Sequence, residues 1–205
     1  QADAPRAWHK TLSQFLVSYG FETAGYDGCT YVLRDDDGKP AIILVAYVDD
    51  CILISPKEER QRRDQFVTDF NNKYEITDEG DLSHHLGVNY ERDRERGILR
   101  AHQGRYIDSI LAKFGMETCN PKSTPLPAHV KTYKTTDKDR CTEAEHSLYR
   151  SIVGSLQYLS TMTRPDIAFA TSELSRYMAD PSSTHLQLAK WVLAYLKGSK
   201  ERGLT

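Results

Sequence analysis

Two adjacent aspartates, Asp49 and Asp50, are the strongest candidates for chemistry in this sequence. They separate an uncharged run at residues 41–48 from a second apolar run at residues 51–54. Runs of this length, rich in branched and aromatic side chains, predict a buried β-hairpin with both carboxylates at the tip of a tight turn. The strands have no charged side chain to neutralise the pair. A hard divalent cation such as Mg²⁺ prefers oxygen ligands held in this way.

The residues before the aspartates favour chemistry over a plain turn. Asp is a common turn former, so a bare Asp-Asp pair in a polar loop would indicate only a turn. Here Tyr47 and Val48 precede the pair, and Tyr-x-Asp-Asp between apolar strands resembles the catalytic hairpin of reverse transcriptases. That resemblance implies that Asp49 and Asp50 are catalytic metal ligands for two-metal nucleotidyl transfer with Mg²⁺ or Mn²⁺. It also implies that Tyr47 and Val48 bind the nucleic acid at the primer.

Other segments narrow the resemblance to the copia-type (Pseudoviridae) LTR retrotransposons. They are similar to blocks of that family in the family's order, and together they cover nearly the whole chain. The similar blocks lie at residues 4–8 (APRAW), 114–116 (FGM), 123–126 (STPL), 149–159 (YRSIVGSLQYL), 163–168 (TRPDIA) and 195–198 (YLKG). The last of these resembles the block that precedes the family's ribonuclease H domain.

Periodicity and the resemblance together predict an α+β fold: an antiparallel palm sheet with a catalytic-type β-hairpin packed by helices, then a helical thumb and connection lobe. Residues 1–118 are expected to form a partial palm and the start of the thumb, 119–142 a proline-containing polar linker, and 143–205 the helical thumb and connection segment. The predicted helices lie at 5–19, within 57–74, and at 103–116, 143–162, 165–178 and 183–197. Asp35, Asp36 and Asp37 are interpreted as residues of a turn that leads into the central strand, not as ligands.

A second hairpin is predicted at residues 85–100, with one strand at 85–90 and a turn that ends at Gly97. Leu86 and Gly87 resemble the segment with which reverse transcriptases grip the primer end, so both are candidate primer-binding residues. His84 and His85 are adjacent, and neighbouring side chains on a strand point to opposite faces. We therefore interpret this histidine pair as packing or surface residues and not as a metal site.

Composition sets outer limits on the function. The 205 residues are 39% hydrophobic and 27% charged, as in an ordinary globular protein, and the net charge of −2 gives no general attraction to nucleic acid. No run approaches the roughly 20 apolar residues of a membrane helix. The four cysteines lack CxxC spacing, which predicts reduced thiols and argues against zinc. The resemblance implies an intracellular protein, cytoplasmic in a virus-like particle, or nuclear.

Two functional hypotheses stand. A family member has fingers and a first palm strand with a further metal-binding Asp before the segment that resembles residues 4–8, and this chain contains neither. The first hypothesis is a partial RNA-directed DNA polymerase, inactive alone, that needs the upstream fingers and palm half. It would act on an RNA or DNA primer-template with dNTPs and lie before a ribonuclease H domain. The alternative is a transposon-derived, non-catalytic binding or interaction module.

Overall fold

The chain folds into two compact units, Gln1–Asp81 and Leu82–Thr205. The computed structural model describes residues 4–25, 27–130 and 132–205. Within them each unit has one four-stranded antiparallel sheet, and six helices accompany the two sheets, so the predicted α+β class is confirmed. The boundary between the units falls at 81/82, whereas the sequence predicted a division after residue 118. The assignment of these parts to palm, thumb and connection stays a prediction.

The first unit packs two helices against one face of its sheet. Its elements are α1 (Ala4–Tyr19), β1 (Glu22–Thr23), β2 (Thr30–Arg34), β3 (Pro40–Tyr47), β4 (Asp50–Ile54), a 3₁₀ turn (Lys57–Glu59) and α2 (Arg60–Tyr74). The strand order is β1-β2-β3-β4, so β3 is central and β4 lies at the edge of the described sheet. Consecutive strands can pair in this way because each connection is short.

Helical spacing explains how α1 and α2 cover the sheet. Leu12 and Leu16 of α1 are four residues apart and almost fully buried, as are Phe66 and Phe70 of α2. These four side chains share a core with Leu44 of the central strand. As predicted, the polar first half of α2 contributes little to this core, and the helix packs through its later turns.

Asp35, Asp36 and Asp37 lie in the turn between β2 and β3, as predicted. An oxygen of Asp35 accepts hydrogen bonds from the backbone N–H of Asp37 and of Lys39, at 3.0 and 2.7 Å. Gly38 has a φ of 77°, a conformation that glycine adopts without strain. Asp35 therefore closes the turn at the end of β3 opposite to the Asp49-Asp50 pair.

The second unit combines the other sheet with four helices. Its elements are β5 (His84–His85), β6 (Val88–Asp93), β7 (Ile98–His102), α3 (Gly104–Lys113), α4 (Glu143–Met162), a 3₁₀ turn (Pro165–Ile167), α5 (Ala168–Ser175), α6 (Ser183–Gly198) and β8 (Gly203–Leu204). The strands lie in the order β5-β6-β7-β8. The predicted helices at 103–116 and 165–178 are shorter in the structure, because turns replace their ends. The pairing of β8 with β7 was not predicted.

The core of the second unit lies among its helices. Ile152 and Leu156 of α4 and Val192 of α6 are completely buried in it. A capping box begins α4, since Thr142 and Glu145 each bond the other's backbone N–H. None of the helices in the described ranges combines the length and apolar character that crossing a bilayer would require.

The segment at residues 119–142, which the sequence predicted as a linker, packs along these helices. The carbonyl oxygens of Cys119 and Thr124 accept hydrogen bonds from Lys197 and Trp191 of α6, at 2.7 and 2.9 Å. Lys122 also lies over the Trp191 ring, 4.3 Å from its centroid. Lys131 lies outside the described residues. The segment has little regular structure, but its contacts attach it to the helical core.

Candidate active site

The hairpin formed by β3 and β4 carries the four residues that the sequence singled out at 47–50. Tyr47 pairs with Asp50 across the two strands, so the turn consists of Val48 and Asp49. The prediction that both aspartates form the turn was therefore wrong by one position. Asp50 is the first residue of β4, because the strand pairing continues one residue further towards the tip than the apolar runs indicate.

Val48 has an unusual backbone conformation at this tip. Its φ is 53°, in the left-handed region that β-branched residues rarely adopt. Two-residue hairpin loops favour a positive φ at their first position, where glycine is the usual residue. Placing a valine there costs on the order of 1–2 kcal/mol. Backbone strain of this kind clusters at functional sites, where the surrounding structure holds it in place.

The two faces of the hairpin have different surroundings. Leu44, Ala46 and Cys51 point towards the helices and belong to the core. Tyr47 and Asp50 alternate with these residues and therefore lie on the opposite face. Tyr47 is 55% exposed and Val48 54% exposed, and both aspartates are exposed. The tip of the hairpin is thus open to a ligand on the face away from the helices.

Trp8 of α1 holds the turn from the side. Its indole Nε1 donates a 2.7 Å hydrogen bond to the carbonyl oxygen of Val48. The Trp8 ring packs edge-on against Tyr74 of α2, with centroids 5.2 Å apart and an interplanar angle of 86°. Sequence analysis placed Trp8 in the family block at residues 4–8 and in the predicted helix at 5–19, but not at the site. The signal that could have indicated it was its place in that block.

Cys51 follows Asp50 in β4 but is not a candidate ligand or nucleophile. Burial, and to a smaller extent the negative charge of Asp50, raise the pKa of the Cys51 thiol to about 11. The thiolate is the form that binds metals and attacks electrophiles. At neutral pH Cys51 is therefore a protonated, half-buried member of the core.

Leu86 and Gly87, the predicted primer-binding pair, form a tight turn in the second unit. His85 pairs with Val88, and the two residues between them have φ values of 48° and 74°. The prediction of one continuous strand at 85–90 was wrong, because these left-handed residues divide it into β5 and β6. The hydroxyl of Tyr158 in α4 donates a hydrogen bond to the carbonyl of Leu86. Sequence analysis did not identify Tyr158 as a residue of this site.

The predicted site residues therefore lie in two groups. Tyr47, Val48, Asp49 and Asp50 are together in the first unit, and Leu86 with Gly87 belongs to the second. His84 and His85 are consecutive in β5, the first exposed and the second half-buried. Their side chains leave opposite faces of the strand.

The donors at the hairpin tip suit a largely hydrated cation. Asp49 and Asp50 offer carboxylate oxygens that solvent can reach, and Mg²⁺ is commonly bound by one or two carboxylates while it keeps several waters. Among residues 4–25, 27–130 and 132–205, no three His, Cys, Asp or Glu side chains form a group that could hold a metal. The two aspartates thus fit a single weakly held Mg²⁺. A pair of bridged metals would need a further ligand.

The sequence of this chain is similar to those of known proteins over nearly its whole length. A family model described as reverse transcriptase (RNA-dependent DNA polymerase) matches residues 1–128. The chain is 36% identical over 203 residues to the retrovirus-related Pol polyprotein from transposon RE1 of Arabidopsis thaliana, covering 98% of this chain and 13% of the relative. It is 33% identical over 200 residues to the corresponding polyprotein from transposon TNT 1-94 of Nicotiana tabacum, covering 96% of this chain and 15% of the relative.

A shorter relative also matches. An uncharacterised mitochondrial protein of Arabidopsis thaliana is 34% identical over 161 residues, which cover 78% of this chain and 63% of that protein. The chain spans only about 13 to 15% of the length of the two Pol polyproteins. No solved structure gives a significant match.

Proposed function

Because the chain belongs to the reverse transcriptase family of copia-type transposon Pol polyproteins, we propose that it supplies the catalytic hairpin of an RNA-directed DNA polymerase. The chain is a partial reverse transcriptase region, and the activity requires more of the polyprotein. The exposed tip at residues 47–50 carries this proposal. It places two carboxylates and a strained valine on a rigid, solvent-accessible turn, where they can meet a metal ion and a primer end.

In this proposal Asp49 and Asp50 hold Mg²⁺ or Mn²⁺ through their carboxylate oxygens. The bound metal would lower the pKa of the primer 3′ hydroxyl and neutralise charge on the transferred phosphate. Tyr47 and Val48 contact the primer end and the incoming dNTP, because they are exposed beside the aspartates. The two apolar strands keep this tip in one position, which orientation-dependent catalysis requires.

The edge strand β4 offers a way to complete the site. No described strand pairs with its outer side, so its backbone groups there can accept a further strand. We propose that the upstream palm half supplies that strand together with a third carboxylate near Asp50. Leu86 and Gly87 would support the primer strand of an RNA or DNA primer-template. The ribonuclease H domain would follow downstream in an intracellular, cytoplasmic or nuclear particle.

The alternative, a non-catalytic binding module derived from a transposon, does not require particular residues at the tip of the hairpin. A binding module could place any turn residues at 48–50, and Gly or Asn at Val48 would avoid the strain. The retention of two carboxylates next to a strained, solvent-exposed valine favours the polymerase. Metal binding at the tip distinguishes the two functions.

A Mn²⁺ titration of the ¹⁵N-labelled chain tests the metal site. Paramagnetic Mn²⁺ should broaden the amide signals of Asp49 and Asp50 at roughly millimolar concentration, as expected for a site with few protein ligands. Excess Mg²⁺ should reverse the broadening. The Mn²⁺ broadening should be absent from the Asp49→Asn, Asp50→Asn variant. It should persist in Asp36→Asn, which removes a carboxylate at the other end of β3. Unchanged hairpin signals at this Mn²⁺ concentration would contradict the proposal.

A further inference from the structure

Trp8 joins three elements of the first unit at the hairpin tip. It belongs to α1, its ring packs edge-on against Tyr74 of α2, and its Nε1 donates to the carbonyl oxygen of Val48 between β3 and β4. Tyr74 is itself held, since its hydroxyl donates to the carbonyl of Thr11 in α1 at 3.3 Å. The indole is thus oriented by both helices before it meets the turn.

The acceptor of this hydrogen bond is the peptide group that decides where Asp49 points. The Val48 carbonyl lies in the peptide that joins Val48 to Asp49. Holding its oxygen fixes ψ of Val48 and φ of Asp49, because the peptide is planar and can only rotate as a unit. The pairing of Tyr47 with Asp50 fixes the ends of the turn, but it leaves this central peptide free to rotate.

Val48 needs such a restraint more than most turn residues would. At a φ of 53° a valine is strained, and rotation towards negative φ would carry its carbonyl oxygen away from the Trp8 indole. A relaxed turn would redirect the Asp49 side chain. One hydrogen bond from a rigid indole can prevent this, because it opposes rotation of the peptide directly.

We propose that Trp8 is a positioning residue of the catalytic turn: its indole N–H holds the Val48-Asp49 peptide and thereby keeps Val48 left-handed and Asp49 aimed at the metal. The catalytic consequence rests on the function proposed above. The conformational part does not, because it concerns only the geometry of this chain and needs no metal, primer or nucleotide.

The two tryptophans of the chain provide a matched pair of variants. Trp191 also donates its Nε1 to a distant carbonyl, that of Thr124, at 2.9 Å, but in the second unit. Trp8→Phe keeps an aromatic ring against Tyr74 and removes the N–H donor. We expect Trp8→Phe to shift the amide signals of Val48 and Asp49 and to speed hydrogen exchange of the Asp50 amide, which pairs with Tyr47 across the turn, roughly fivefold, the effect of losing one hydrogen bond. Trp191→Phe should leave both signals unchanged.

Val48→Gly distinguishes positioning from general packing. Glycine adopts a φ of 53° without strain, so the turn would depend less on the indole. In the Val48→Gly background, Trp8→Phe should change the exchange of the Asp50 amide much less than it does in the wild-type background. Equal effects in both backgrounds would overturn the proposal, because they would show that Trp8 acts only through packing.

Exchange of the Trp8 indole N–H and the Mn²⁺ titration provide two further readouts. If Trp8→Phe fails to fold, exchange of the Trp8 indole N–H in the wild-type chain decides: protection supports the anchor, and exchange at the rate of free indole overturns it. The Mn²⁺ titration is scored separately. If Mn²⁺ does not broaden the hairpin signals of the wild-type chain but Trp8→Phe still changes the Val48 and Asp49 signals, only the polymerase proposal is contradicted. If Mn²⁺ broadens the signals but Trp8→Phe leaves them unchanged, only the positioning role is contradicted.

Discussion

At the scale of single residues, Asp50 and Cys51 show how one step along a strand changes the chemistry of a side chain. Asp50 lies on the open face of β4, whereas Cys51 points towards the core. Burial and the neighbouring carboxylate raise the pKa of Cys51 to about 11. Cys29 is exposed and serves as an internal comparison.

Iodoacetamide labelling should therefore distinguish the two cysteines. At pH 8, well below its raised pKa of about 11, the half-buried Cys51 thiol stays protonated and should react at least tenfold more slowly than Cys29. Peptide mapping by mass spectrometry measures both rates. Asp50→Asn removes the negative charge, the smaller of the two causes of the raised pKa. It should therefore increase the labelling rate of Cys51 only modestly. Equal rates at pH 8 in the wild-type chain would contradict the buried placement of Cys51.

In the second unit, Arg164 is a buried cation with a defined set of partners. Its guanidinium donates two hydrogen bonds to Asp166, at 2.9 and 2.8 Å, and further bonds to Ser199. Tyr195 also donates to Asp166, at 2.6 Å. Burial of Asp166 opposes its ionisation, but the hydrogen bonds from Arg164 and Tyr195 and the charge of Arg164 outweigh it and lower the pKa of Asp166.

Asp166→Asn should destabilise the second unit at pH 7 by about 3 kcal/mol, because it leaves the buried guanidinium without its counter-charge. A carboxylate with a lowered folded pKa contributes stability above its unfolded pKa, near 3.9, and loses it as pH falls through the folded pKa. The difference between wild type and variant should therefore shrink below pH 4. Hydrogen exchange of the α6 amides measures this difference in stability. An unchanged exchange rate at pH 7 would show that Arg164 is satisfied without Asp166.

At the scale of elements, the two turns that carry the candidate residues share one construction. Each contains a non-glycine residue with positive φ, Val48 or Leu86. In each, the carbonyl of that residue accepts a hydrogen bond from an aromatic side chain of a helix in the same unit, Trp8 or Tyr158. Both turns are thus held from outside the hairpin that forms them.

The β5–β6 turn should be sensitive to substitution at Gly87. A Cβ there would lie 3.2 Å from the Tyr158 hydroxyl, and the φ of 74° strains any other residue. Gly87→Ala should therefore cost about 1–2 kcal/mol, seen as faster exchange of the Val88 amide. Gly97→Ala, at a similar φ of 67° but with open space around its Cβ, is the matched control for strain alone. A smaller cost at Gly87 than at Gly97 would contradict the Tyr158 contact.

The elements themselves were largely predictable from the sequence, because apolar periodicity and caps are local signals. The spacing of Leu12 and Leu16, the turn at 35–38 and the bounds of α4 all follow from such signals. The left-handed residues Val48 and Leu86 were not predictable, since neither is a residue type that favours positive φ. The hydrogen bonds from Trp8 and Tyr158 to these turns were not predictable either, because their acceptors lie 40 and 72 residues away along the chain.

At the scale of the whole molecule, charge is balanced locally as well as in total. Several arginines already face carboxylates: a guanidinium nitrogen of Arg100 lies 2.9 Å from a carboxylate oxygen of Glu91, and one of Arg63 lies 2.6 Å from Asp64. The net charge is −2. Neither the total charge nor these ion pairs give the chain a general attraction to nucleic acid.

Binding of the isolated chain to a primer-template duplex should accordingly be weak and sensitive to salt. We expect a Kd above roughly micromolar at physiological ionic strength and a clear weakening between about 50 and 200 mM salt. Fluorescence anisotropy of a labelled duplex measures both. Submicromolar affinity at physiological salt would show a phosphate-binding surface that the charge distribution does not indicate.

The hairpin at residues 47–50 is proposed to be the catalytic turn of a reverse transcriptase. Primer extension tests it most directly, with a chimera in which this chain replaces the matching 203 residues of the RE1 polyprotein and circular dichroism to verify folding. We predict Mg²⁺-dependent incorporation of dNTPs by the chimera, its loss in Asp49→Asn, its retention in Asp36→Asn, and no extension by the isolated chain. A folded chimera that fails to extend, or one that extends equally well with Asp49→Asn, would contradict the claim.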